Sequence, residues 1–81
     1  MKEFIIRLDS VEKVKKFVTL NSQQEFSIDI ISGKYIIDAK SIMGIFSLNL
    51  TVPITVVANT EDTPQYREYY NKAIKICGEE K

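Results

Sequence analysis

Lys40-Ser41-Ile42-Met43-Gly44-Ile45-Phe46-Ser47-Leu48 is a short apolar segment behind a serine, and it follows a strand-like run. Ser41 therefore stands where a helix N-cap belongs, its hydroxyl placed to accept a bond from a free backbone N–H two or three residues on. A helix this short cannot bury all five of Ile42, Met43, Ile45, Phe46 and Leu48. Ile45 and Leu48 share one face by their spacing, and Ile42, Met43 and Phe46 share another. One face goes to the core. The other is expected to form an exposed apolar patch beside the serine, a common form for a docking site.

Upstream, Tyr35-Ile36-Ile37-Asp38 reads as a strand. Ser32-Gly33-Lys34 before it is turn chemistry, with Gly33 free to take a positive φ. Phe26-Ser27-Ile28-Asp29-Ile30 alternates apolar and polar and gives the other arm of a hairpin. Asn21 to Glu25 reads as a polar loop. A helix is predicted over residues 10–20, with Val11, Val14, Phe17 and Val18 on its apolar side and Glu12, Lys13, Lys15 and Lys16 opposite. Asp9-Ser10-Val11-Glu12 resembles a capping box in which Asp9 or Ser10 is the cap. Lys2 to Leu8 is the first strand, with Phe4, Ile6 and Leu8 on one face.

Downstream, Pro53 opens a strand, Ile54-Thr55-Val56-Val57-Ala58, rich in β-branched residues. Thr63-Pro64 marks a helix start, with threonine as cap and proline in the first turn. Tyr66, Tyr69, Tyr70, Ala73 and Cys77 follow at helical spacing, and Gly78 ends the helix. Glu79-Glu80-Lys81 is expected to be a mobile tail. The order β-α-β-β-α-β-α fits an α+β domain of two layers, and several strand orders are compatible with it.

The chain has 81 residues, room for one small domain over residues 1–81. Eleven basic and eleven acidic residues cancel, so direct nucleic-acid binding is not expected. No apolar run is long enough for a signal peptide or a membrane span. Cys77 is the sole cysteine and has no internal disulfide partner, which suits a reduced, cytoplasmic setting. With no histidine, a metal site is not expected, and no cofactor is implied. Tyr66, Tyr69 and Tyr70 read as packing residues, because no basic cluster accompanies them in sequence. Cys77 reads as core.

The run K-S-I-M-G, then two apolar residues, then S-L, over residues 40–48, resembles the regulatory-serine segment of HPr in its Gram-positive form. HPr is the phosphocarrier of the sugar phosphotransferase system. The local match runs from about Gly33 to Leu50, and elsewhere the order of elements agrees. The resemblance implies an HPr-like open-faced β-sandwich: a four-stranded antiparallel sheet covered on one face by three helices. It implies Ser41 as the target of a dedicated kinase, with Lys40, Ile42, Met43 and Phe46 in the partner surface. The implied partners are an HPr-type kinase, a LacI-type repressor or other phosphotransferase proteins.

That family accepts a phosphoryl group on a histidine at the start of the first helix, followed by a basic residue and a proline. Here the same place reads Asp9-Ser10-Val11-Glu12-Lys13, and the chain has no histidine. Asp9 and Ser10 are a degenerate acceptor site without an activating base. The expectation is a histidine-lacking, catabolite-repression-type member that is not an enzyme but a regulatory interaction module acting through Ser41. The alternatives are a carrier with a non-histidine acceptor and a purely protein-binding domain in which Ser41 only caps its helix.

Overall fold

The computed structural model describes residues 1–78. The elements are β1 (Lys2–Ile6), α1 (Val11–Ser22), β2 (Ile28–Ser32), β3 (Tyr35–Asp38), α2 (Ile42–Phe46), β4 (Ile54–Ala58) and α3 (Pro64–Cys77). The strands form one antiparallel sheet in the order β1-β4-β2-β3. The helices cover one face of it. This is the HPr-like open-faced sandwich.

Register follows the pleat, since successive side chains point to opposite faces. Phe4 pairs with Val56, and Ile30 pairs with Val56 from the other side. These residues, with Ile6, Ile28, Ile54 and Ala58, are buried under the helices. The opposite face carries a row in register across all four strands, Ile5, Thr55, Ile31 and Ile36. Alternation is clear in β1, whereas β4, one of the two strands with neighbours on both sides, is apolar almost throughout.

Three caps start the three helices. Ser10, Thr63 and Ser41 each sit in extended backbone and accept a hydrogen bond from the N–H three residues on. Val14, Phe17 and Leu20 of α1 and Tyr66, Tyr69, Ala73 and Cys77 of α3 are buried against the sheet or each other. Burying a side chain the size of Phe17 contributes about 1.5–3 kcal/mol. The ring of Tyr69 stands edge-on to Phe26, with centroids 5.6 Å apart. Tyr70 meets Phe4 edge-on at 5.1 Å. The tyrosines of α3 are thus packing residues.

Four local expectations need correction. Strand β1 stops at Ile6, although Leu8 is still buried. Strand β2 runs over Ile28–Ser32 rather than 26–30, because Ile31 and Ser32 find partners in Ile36 and Tyr35 of the hairpin. Val11 is 58 % exposed, because it occupies the first position of α1, outside the buried stripe. Asn21 is not in a loop. It lies in the last turn of α1 and is buried, because two distant groups satisfy its amide. The tail 79–81 lies outside the described residues.

Candidate functional site

Ser41 joins β3 to α2, and the chain there is tied at several points. Ala39 N–H donates to Ile28 C=O at 2.9 Å, and Ala39 C=O accepts from the Asn21 side-chain amide at 3.0 Å. Ser41 N–H donates to Asp38 C=O at 2.9 Å. The Asp38 carboxylate accepts from the backbone N–H of Lys40 at 2.9 Å and from the Lys40 ammonium at 3.1 Å. Those bonds, the backbone one first, hold the Asp38 carboxyl below its usual range. Ser41 is thereby presented from a braced turn, and its side chain is exposed.

The Ser41 Oγ accepts from Gly44 N–H at 3.1 Å, while Ser41 C=O accepts from Ile45 N–H at 3.0 Å. Gly44 is packed closely. A Cβ there would lie 2.7 Å from the Ile37 Cγ2 methyl and 2.9 Å from Ser41 Oγ. The glycine therefore lets α2 approach β3, and its N–H engages the serine hydroxyl.

Four of the five apolar residues of this segment divide as the spacing predicts, and Ile42 departs from it. Ile45 is fully buried, and Ile42 and Leu48 pack partly against the core. Met43 is 78 % exposed and Phe46 is 40 % exposed. Ile42 is thus half-buried, packed against the core cluster from the first position of α2. Lys40 is at the surface, its ammonium on Asp38.

Asp9 and Ser10 lie together at the start of α1, on a separate element. Ser10 is the cap, and its Oγ accepts from Lys13 N–H at 3.1 Å. Asp9 pairs with the Lys13 ammonium at 2.8 Å, which holds its carboxyl below the usual range. Glu12 pairs with Lys16 at 2.9 Å. Both carboxylates are thus partly neutralised one turn along the helix. Ser10 has no imidazole beside it, since the chain contains none. A cap whose Oγ is already accepting and that lacks a base is a poor nucleophile.

Cys77 ends α3 and is buried, and burial pushes its thiol up to about 12, with Lys13 offsetting part of that. Among the described residues no cluster of histidine, cysteine or carboxylate side chains is arranged to hold a metal ion. No helix among them is long and apolar enough to cross a membrane.

Asn21 is the residue of this region that sequence reasoning missed. It links α1, the turn before Ser41 and α3 through Ala39 and Tyr69. A signal was present: Asn21 falls on the stripe Val14, Phe17, Leu20, where a polar side chain needs partners if the helix continues.

No family model matches the chain, and no curated protein matches it. Among solved structures it is similar to the crystal structure of HPr-C-His from Thermoanaerobacter tengcongensis. The likeness has a TM-score of 0.75 at 24 % identity, over 94 % of this chain and 90 % of that one. At that identity the likeness establishes the fold.

Proposed function

We propose that this chain is an HPr-like protein of the phosphoenolpyruvate-dependent sugar phosphotransferase system, a single domain without the phosphoryl-accepting histidine. It acts in the cytoplasm as a regulatory interaction module, not an enzyme, and is controlled through phosphorylation of Ser41. The observation that carries this reading is the exposed Ser41 hydroxyl on a braced turn, directly before the exposed Met43 and Phe46, in an HPr-like fold. The absence of histidine argues against the carrier reaction.

Phosphorylation joins Oγ to the γ-phosphorus of ATP as the bond from that phosphorus to the bridging oxygen breaks, so ADP leaves and the hydroxyl proton passes to the kinase. The product carries about −1.5 to −2 charge at neutral pH. Its oxygens lie beside the N–H groups of the first turn of α2, which favour negative charge. The modification therefore leaves the fold in place and changes what the surface recognises. A partner arginine pairs with the phosphate while Met43 and Phe46 enter an apolar pocket. The partners are an HPr-type kinase and then a LacI-type repressor or another phosphotransferase protein.

The test is incubation with ATP and an HPr-type kinase, followed by mass mapping. One phosphate on Ser41, lost in Ser41→Ala, is the expected result. An unmodified Ser41 overturns the reading. A second incubation, with phosphoenolpyruvate and the general phosphotransferase enzyme, is expected to leave the mass unchanged.

A further inference from the structure

The neutral net charge conceals a local segregation. Along the seam between α1 and α3 lies a cavity of about 530 Å³ lined by Lys15, Lys16, Thr19, Leu20, Gln23, Lys72, Lys75 and Ile76. Four lysines border it, and none of its lining residues is a carboxylate. A second hollow of about 340 Å³ adjoins it through the shared Lys16, Lys75 and Ile76, and adds Lys13 together with Ser10 and one carboxylate, Glu12. The result is a trough between two helices, with Leu20, Ile76 and lysine stems as its apolar floor and ammonium groups on both rims.

The rim charges are available. Lys16 and Lys72 pair along their own helices with Glu12 and Glu68 at 2.9 and 3.0 Å. Such exposed pairs are weak and exchange readily for a better anion. Among the described residues, no carboxylate pairs with Lys15 or Lys75.

We propose that this trough docks an acidic amphipathic helix of another protein, laid between α1 and α3 as a third helix. Its apolar side chains, spaced i, i+3, i+4, i+7, meet Leu20 and Ile76, and its Asp and Glu side chains meet the lysines on either rim. Charge complementarity fixes the sign of the partner, and the apolar floor fixes its amphipathicity. A nucleic acid fits less well. The trough offers no aromatic side chain for stacking, and its cations are lysines without the arginine fork. The proposal concerns a surface apart from Ser41 and does not depend on its phosphorylation.

The test uses the full-length protein and a capped helical peptide with leucines on one face and glutamates flanking them. A control peptide carries lysine at every glutamate position. Amide shifts on titration should concentrate on Lys15, Lys16, Thr19, Lys72, Lys75 and Ile76, and added salt should weaken binding. The double variant Lys15→Glu/Lys75→Glu should lose about tenfold in affinity for the glutamate peptide and gain it for the lysine peptide, as complementary charge requires. Both positions are exposed. Should that variant unfold by circular dichroism, Lys15→Gln/Lys75→Gln is measured instead, with loss for the glutamate peptide expected. Absence of binding, equal binding of both peptides, or shifts centred on Ser41 to Phe46 overturns the proposal. Tighter binding of duplex DNA, single-stranded RNA or phosphatidylserine vesicles than of the glutamate peptide also overturns it.

Discussion

The phenol of Tyr69 donates a hydrogen bond of 2.6 Å to Asn21 Oδ1, and both residues are sealed from solvent. The same asparagine donates to Ala39 C=O at 3.0 Å, so one buried amide joins α3, α1 and the turn that presents Ser41. Burial pushes the Tyr69 phenol well above its ordinary pKa, which keeps the proton that Asn21 needs.

Cutting this link should be costly, because each partner left behind is a buried polar group without a bond. Tyr69→Phe strands Asn21 Oδ1 and is expected to cost about 1–3 kcal/mol. Asn21→Ala strands both the phenol and Ala39 C=O, and roughly 2–6 kcal/mol is expected from the same penalty applied to two groups. Urea unfolding of the two single variants and the double variant measures the coupling. Additive effects in that cycle would show that the two groups do not depend on each other.

Gly44→Ala tests the close approach of α2 to β3. In a helix interior alanine is favoured over glycine by about 0.8–1.0 kcal/mol. Here the added methyl would meet the Ile37 methyl at 2.7 Å and Ser41 Oγ at 2.9 Å, so the local structure must move. Overpacking of this kind costs typically about 1–3 kcal/mol, which exceeds the gain in propensity. The variant should therefore be less stable than the parent, and Ile37→Ala in the same background should lessen the effect of the alanine. A Gly44→Ala protein with a raised unfolding midpoint would mean that the helix simply shifts aside.

What the sequence reveals here is mostly local. Ser10, Ser41 and Thr63 announce three helix starts because a cap acts within three residues, and Gly33 takes its φ of +60° as the turn requires. Strand order is not local: β4 lies between β1 and β2 only because of pairings far apart in the chain. Asn21 misleads for the same reason, since its partners lie 18 and 48 residues away. The lysines of the trough come from two helices far apart in sequence, and a net charge of zero does not register their gathering. The Ser41 segment was legible as a cap and a divided apolar face because spacing decides both. The share of Ile42 in the core depends on the sheet beneath it and was not.

Cys77 gives a pH dependence of stated sign. Its thiol is pushed up to about 12 in the folded chain from an ordinary value of 9.0, by burial first. A raised folded value means that the folded state holds the proton while the unfolded state has lost it. Stability from this group is therefore complete below pH 9 and falls as the pH rises toward 12. Urea midpoints of the parent should drop between neutral pH and pH 10 more than those of Cys77→Ala. Native protein should also react with a thiol reagent far more slowly than urea-unfolded protein. Equal alkaline losses in parent and variant would show that the thiol ionises as readily folded as unfolded.

Met43, Ile42 and Phe46 separate recognition from stability within one five-residue helix. Met43 is 78 % exposed, so Met43→Glu removes little packing and should change stability by no more than about 0.5 kcal/mol. Ile42 packs partly against the core, and Ile42→Ala should destabilise the chain without a new charge being involved. Phe46, at 40 % exposure, should show both effects when truncated to alanine. If Met43 is a central contact of the Ser41 surface, Met43→Glu should weaken binding to the HPr-type kinase by roughly tenfold or more, as loss of a buried anchor does. Its carboxylate would also stand next to any phosphate on Ser41 and repel it. The measurements are urea midpoints for the three variants and titration of each against the kinase, with Ser41→Ala as the cap-only control, expected to cost about 0.5–2 kcal/mol. A Met43→Glu protein that binds as the parent does would remove Met43 from the partner surface. One that unfolds as readily as Ile42→Ala would place it in the core.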